Sequence, residues 1–535
     1  MRFKWREGLL FFLSVLIPTY WRYGYRLEWS DQWILFLPGI AKADPQAWVG
    51  DSFTHSAILP HWAFDIWIYL GEKWGMLAPL TLGYWLASIF IFSLAVKWLS
   101  QKIFPQDRWV GLFFSPLLVL GPTSPAGSTT PLLGWALPHA SGGAALFLGV
   151  VSLITGRLGW AIASTFLAVV LHVQQGALLG LLLLVSGVLT PGWSRKQKIL
   201  LLAAAGTSLS LVYGIAYSHA LTQNGADFVR ICKLYLPFHC DASSWPFKWW
   251  FGGLLVCGLS FFSLFLFREE LQKGRSVVAC ATLILLVTLV CDRFELPVGS
   301  EIVRRFNLHR FVTLVECFAT LGLLFLLSQR SSLKRAVVGG TGLFLWMTSY
   351  SASLELHLLP AALVAAGAIL AAALPRGRNS RKVQWVTVVV LFVAVNPLFP
   401  FWRDYPEDVF RGAGKAIQKE TQPGSLLFAS PRLIWLRYFS RRAMVADRKA
   451  IPIGGAPLRE WERRLTLLDS AFDPNTSLSR RVEVARSFGA TDICFDAQDP
   501  KLKEALETWP VKISFREDRL NFGIFVFALP PSHSP

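Results

Sequence analysis

The chain has 535 residues, 53% of them hydrophobic and 16% charged, with a formal net charge of +18. A soluble protein carries about 25% charged residues, so a single water-bathed globule is excluded for the whole chain. No nucleic-acid-binding motif accompanies the basic excess. Lys and Arg gather instead in short loops between apolar runs, which is the pattern that orients a membrane protein.

Apolar runs that approach the roughly 17–25 residues of a membrane span begin near the N-terminus. They fall near 7–22, 78–97, 109–122, 138–155, 158–172, 175–190, 199–217, 249–267, 276–292, 309–327, 336–350, 359–374 and 383–401. The expected fold is therefore a polytopic α-helical membrane protein of about 13 transmembrane helices over residues 1–402. A small C-terminal α/β domain follows over 403–535. The first run is followed by Tyr20-Trp-Arg-Tyr rather than by small residues, so it reads as an uncleaved span. With Arg2, Lys4 and Arg6 placed in the cytoplasm, every loop on that side is basic, from Lys97, Lys102 and Arg108 to Arg376, Arg378, Arg381 and Lys382. This predicts a plasma-membrane protein with a cytoplasmic N-terminus and an extracytoplasmic C-terminal domain. The stretch 158–190 is interrupted by His172-Val-Gln-Gln-Gly, and reading it as two spans keeps the later basic loops inside.

Outer loop 1, residues 23–61, holds Glu28, Asp31, Asp44, Asp51, His55 and His61. The segment 61–77, aromatic with Asp65 and Glu72, predicts a helix lying in the membrane interface. His139 starts the fourth span, and His172, Gln174 and Gln175 stand at the turn after the fifth. The loop after span nine carries Asp292, Arg293, Glu295, Glu301, Arg304, Arg305, His309 and Arg310, and the next outer loop carries Glu355 and His357. Each has an ordinary alternative: solvated loop carboxylates, a helix cap at His139, head-group anchors at the arginines. Their concentration on one membrane face points instead to an outer site for an anionic ligand and proton chemistry. Among the seven Cys, Cys257, Cys280, Cys291 and Cys317 read as small hydrophobes and Cys494 as core. Cys232 and Cys240 are the one pair in a polar loop, where an oxidising compartment would permit a disulfide.

Loop 1 reads Leu27-Glu-Trp-Ser-Asp-Gln-Trp, with Asp31 just past span one, and later Trp48-Val-Gly-Asp51-Ser-Phe. In this layout the chain resembles the GT-C class of membrane glycosyltransferases, which use lipid-phosphate-linked sugars. Many of those have Asp followed by Asp or Glu where this chain has Asp31-Gln32. The tail, with Ser440-Arg-Arg and Glu460-Trp-Glu-Arg-Arg, resembles that of uncharacterised bacterial multi-pass proteins. The GT-C resemblance implies transfer of a sugar from a polyprenyl-phosphate donor to a glycan, lipid or protein acceptor on the outer face. Asp31 is then the base that takes the acceptor's proton. Asp51 either shares a divalent cation with Asp31 or orients the acceptor. Arg304, Arg305 and Arg310 are the donor-phosphate ligands, since guanidinium matches phosphate oxygens. Glu28, His139, His172 and Gln175 support them. Two other readings stay open: a lipid-linked glycan flippase or transporter, and an O-antigen-type ligase or polymerase using Arg and His of the 292–310 loop.

In the tail, periodicity predicts helices near 405–420, 456–472, 477–488 and 500–508, and strands near 424–430, 442–447, 491–496, 511–516 and 522–529. No phosphate loop, nucleophile elbow or metal signature appears there. The expected role is to cover a cavity or recruit an acceptor. Ser440, Arg441, Arg442 and Lys449 are expected to face either the membrane surface or solvent.

Overall fold

A computed structural model describes residues 5–56, 61–105, 108–120, 135–218, 230–231, 233–235, 241–296, 308–328, 407–452, 455–517 and 521–529. The chain divides into two compact units, both discontinuous in sequence. The first comprises 1–26, 82–215 and 232–403, and the second comprises 27–81, 216–231 and 404–535. Loop 1 thus belongs with the C-terminal residues rather than with the helices that flank it.

The first unit is helical. Helices occupy each of the first ten expected apolar runs, from Trp5–Tyr23 to Val312–Ser328. Helix is not the same as span, however. Among the described residues four helices are long and apolar enough to cross a membrane: Leu77–Ile103, Arg195–Ile215, Phe247–Leu266 and Arg275–Arg293. The expected count of about 13 is not supported. The runs 336–350, 359–374 and 383–401 lie outside the described residues. Pro138–Ile154, Leu158–Leu171 and Val173–Leu189 are apolar but shorter.

The 138–154 helix shows why composition alone does not separate a buried helix from a span. Almost every residue along it is buried, so it is apolar all round because helices surround it. Its small residues allow that approach. A Cβ on Gly142 would lie 2.6 Å from the Cβ of His172, and one on Gly149 would lie 2.5 Å from Leu179 Cδ2. The next two helices are separated by His172 alone, whose extended φ −159° and ψ 101° interrupt the helix. Further along, Ser263 donates to the backbone carbonyl of Phe318 at 2.7 Å, tying the 247–266 helix to the 312–328 helix.

The second unit holds a five-stranded sheet in the order β2-β1-β3-β5-β4, with β1 Leu426–Ala429, β2 Ala443–Met444, β3 Asp492–Asp496, β4 Val511–Glu517 and β5 Phe522–Ala528. β1 pairs in parallel with β2 and β3, and β5 pairs antiparallel with β3 and β4. β3 is central and lacks polar alternation because both its faces are covered; Ile493, Cys494 and Phe495 are fully buried. Helices Glu407–Glu420, Gly455–Ala471, Leu478–Ser487 and Leu502–Thr508 follow the expected positions. A short helix, Leu436–Ser440, also forms, and packing rather than periodicity accounts for it: Gly414 of the 407–420 helix lies against it so closely that a Cβ would meet Phe439 at 2.4 Å.

Candidate functional site

Within the second unit, residues 27–81 supply a row of carboxylates and residues 411–464 supply the cations that meet them. Glu28 accepts two hydrogen bonds from Arg411, at 2.9 and 3.1 Å, and one from Tyr438 Oη at 3.1 Å. Asp44 and Glu72 share Arg441, at 3.2 and 2.6 Å. Asp31 pairs with Lys449 Nζ at 2.8 Å. Ser52 Oγ accepts from Arg464 at 3.2 Å. Trp48 adds a neutral link, donating through Nε1 to the carbonyl of Arg437 at 2.7 Å.

The environments differ enough to separate the two expected catalytic aspartates. Asp51 is fully buried. Its Oδ1 accepts from Thr54 N at 2.8 Å and Thr54 Oγ1 at 3.0 Å, and its Oδ2 accepts from Arg437 Nε at 2.9 Å and Met444 N at 3.1 Å. Protein donors therefore occupy both oxygens, in the manner of a structural anchor. Asp31 keeps 46% of its side chain exposed, the most among the ion-paired carboxylates of 27–81. Among the described residues no group of three or more His, Cys, Asp or Glu is placed to hold a metal ion.

Four of the six described non-glycine residues with positive φ lie in this contact: Glu28 (59°), Ser30 (45°), Trp48 (58°) and Arg441 (50°). L-residues adopt this region at a cost, so tertiary contacts hold it. The basic residues expected at a membrane surface or in solvent are used here instead. Ser440 and Arg442 are buried. Arg442 donates from Nη2 to the carbonyls of Gln418 and Thr421 at 2.7 Å, satisfying the end of the 407–420 helix. The counter-charges also act on titration. Burial drives the phenol of Tyr438 well above its ordinary value, reinforced by Glu28. Asp65, buried on the 62–73 helix, is pushed up to about 7 by desolvation, partly offset by Lys42.

The first unit holds the remaining candidates. Arg310 Nη1 lies 3.4 Å from His172 Nε2, and His172 Nδ1 accepts from Gln175 N at 3.4 Å. Gln175 is buried, and its Oε1 has no hydrogen-bond partner among the described residues. His139 stands in the first turn of the 138–154 helix, three residues before Gly142, whose missing side chain admits His172 and Gln175. Beside Arg310, His309 is fully buried, with Asp292 at 3.7 Å and the Trp245 ring 5.1 Å away. Arg304 and Arg305 lie outside the described residues, as do Cys232, Cys240, Glu301, Glu355 and His357. Cys257, Cys317 and Cys494 are buried, while Cys280 and Cys291 are partly exposed.

A family model described as a domain of unknown function (DUF6798) matches residues 411–468. No curated protein matches the chain. The matched stretch contains Arg411, Arg437, Arg441, Lys449 and Arg464, the C-terminal cations that meet residues 28–72. Sequence reasoning picked out the carboxylates and missed Arg437 and Asp447 altogether. Arg437 meets Asp51 across 386 positions, a separation that leaves no local signal.

Proposed function

We propose that this chain is a membrane glycosyltransferase that moves a sugar from a polyprenyl-phosphate-type donor to an acceptor on the outer face. Asp31 carries the reading. It is the most exposed of the ion-paired carboxylates of 27–81, as suits a base that meets an acceptor hydroxyl. In the proposed topology the N-terminus is cytoplasmic, and loop 1 and the C-terminal α/β region are extracytoplasmic, following the basic loops.

Arg304, Arg305 and Arg310 are proposed donor-phosphate ligands, with His172 assisting. His172 Nε2 lies 3.4 Å from Arg310 Nη1. A guanidinium beside an imidazole suits an anionic phosphate oxygen. This pair also favours a second reading, the O-antigen-type ligase or polymerase, whose chemistry needs the same phosphate contact.

The test is transfer from lipid-linked sugar in membranes carrying single variants. Asp31→Asn is expected to slow transfer by about a hundredfold or more, the scale of a lost general base, and Asp44→Asn to retain it. Full transfer by Asp31→Asn removes the base assignment. Accumulation of lipid-linked precursor on the inner leaflet in a null strain would favour the flippase instead.

A further inference from the structure

We infer that Lys449 is a positioning residue for Asp31, so that the C-terminal α/β region supplies part of the Asp31 site as well as covering it. The inference rests on the proposed role of Asp31 as base. Lys449 Nζ lies 2.8 Å from Asp31 Oδ1, donates to Ser30 Oγ at 3.0 Å, and sits 5.7 Å from the centre of the Trp33 ring. One ammonium therefore fixes the carboxylate and the residue before it. That grip is needed locally, because Glu28 and Ser30 both hold left-handed backbone that their residue types do not favour.

Lys449 is itself held from behind. Its backbone N–H donates to Asp447 Oδ1 at 2.9 Å, and Ala450 N–H donates to the same oxygen at 2.7 Å. Asp447 Oδ2 pairs with Arg437, and Arg437 Nε reaches Asp51 Oδ2 at 2.9 Å. Asp51, Arg437 and Asp447 thus form one row of ion pairs, and the backbone of Lys449 ties that row to the Lys449–Asp31 pair. The buried end of this arrangement is the anchor and the exposed end is the proposed base. A lysine on a flexible stem positions little by itself; one whose backbone is fixed by a buried carboxylate presents its charge at a set place.

The experiment uses the full-length protein in detergent. A water-soluble carbodiimide without added amine is expected to join Asp31 to Lys449 as an isopeptide, read by peptide mass spectrometry. Turnover is followed as polyprenyl phosphate released from a polyprenyl-phosphate hexose. Lys449→Met is expected to slow it by about tenfold, the scale of one charge-assisted hydrogen bond. Lys449→Arg is expected to restore most of it, and Asp31→Asn/Lys449→Met to be no slower than Asp31→Asn. A purely structural lysine would instead slow the double variant further. Absence of the cross-link, wild-type turnover in Lys449→Met, or additive slowing overturns the inference while leaving the base assignment intact. Full turnover in Asp31→Asn overturns the base assignment and the role of Lys449 with it.

Discussion

Arg437 donates from Nε to Asp51 Oδ2 at 2.9 Å, joining residues 386 positions apart in a pocket where both side chains are almost completely buried. Arg437 also pairs with Asp447, so one guanidinium satisfies two carboxylates. Loop 1 is therefore a built-in part of the C-terminal unit.

Removing one member of such a pair leaves a buried charge short of its partner, which costs about 3–5 kcal/mol. Asp51→Ala is expected to lower the thermal midpoint of the detergent-solubilised protein and to expose residues 27–56 to limited proteolysis. An unchanged midpoint and an unchanged cleavage pattern would show that the anchor contributes nothing.

Asp65 gives a pH dependence with a definite sign. Burial raises its carboxyl to about 7 from an ordinary 3.8, and its Oδ1 has no hydrogen-bond partner among the described residues. Between those values the folded state binds the proton that the unfolded state has released. Stability should therefore fall as pH rises from about 4 to about 7 and level off above. Melting curves at pH 5 and pH 8 should differ for wild type, and Asp65→Asn should lessen the difference. An equal difference in the variant would assign it to other groups.

Gly142 is a packing requirement. A Cβ there would lie 2.6 Å from His172 Cβ, which is backbone-proximal and cannot swing away. Gly142→Ala is expected to cost about 1–3 kcal/mol by overpacking. Gly206→Ala meets nothing within 4 Å and is expected to be neutral or slightly stabilising. Equal thermal midpoints for the two variants would rule out the close approach.

The His172–Arg310 arrangement predicts anion affinity. Arg310→Met is expected to weaken binding of polyprenyl phosphate to the full-length protein by about tenfold, equivalent to about 1.4 kcal/mol. Titration of purified wild type and variant measures it, and equal affinities would remove Arg310 from the phosphate contact.

Local sequence determined the elements of this protein. The C-terminal helices and strands lie where periodicity puts them, because period 2 and period 3.6 are written in consecutive residues; Ile493-Cys-Phe495 and the positive φ of Gly489 before β3 are examples. The ten described apolar runs became helices for the same reason. Local sequence did not decide which helices are long enough to span, since burial among neighbours and burial in lipid select the same residues, as the 138–154 helix shows. Tertiary structure alone decided what the carboxylates of loop 1 do. Asp31 and Asp51 look equivalent in sequence, two loop aspartates twenty positions apart. Folding closes Asp51 onto Arg437 and leaves Asp31 open beside Lys449. Charges that meet across nearly four hundred residues follow no period, so only the folded chain distinguishes an anchor from an exposed carboxylate.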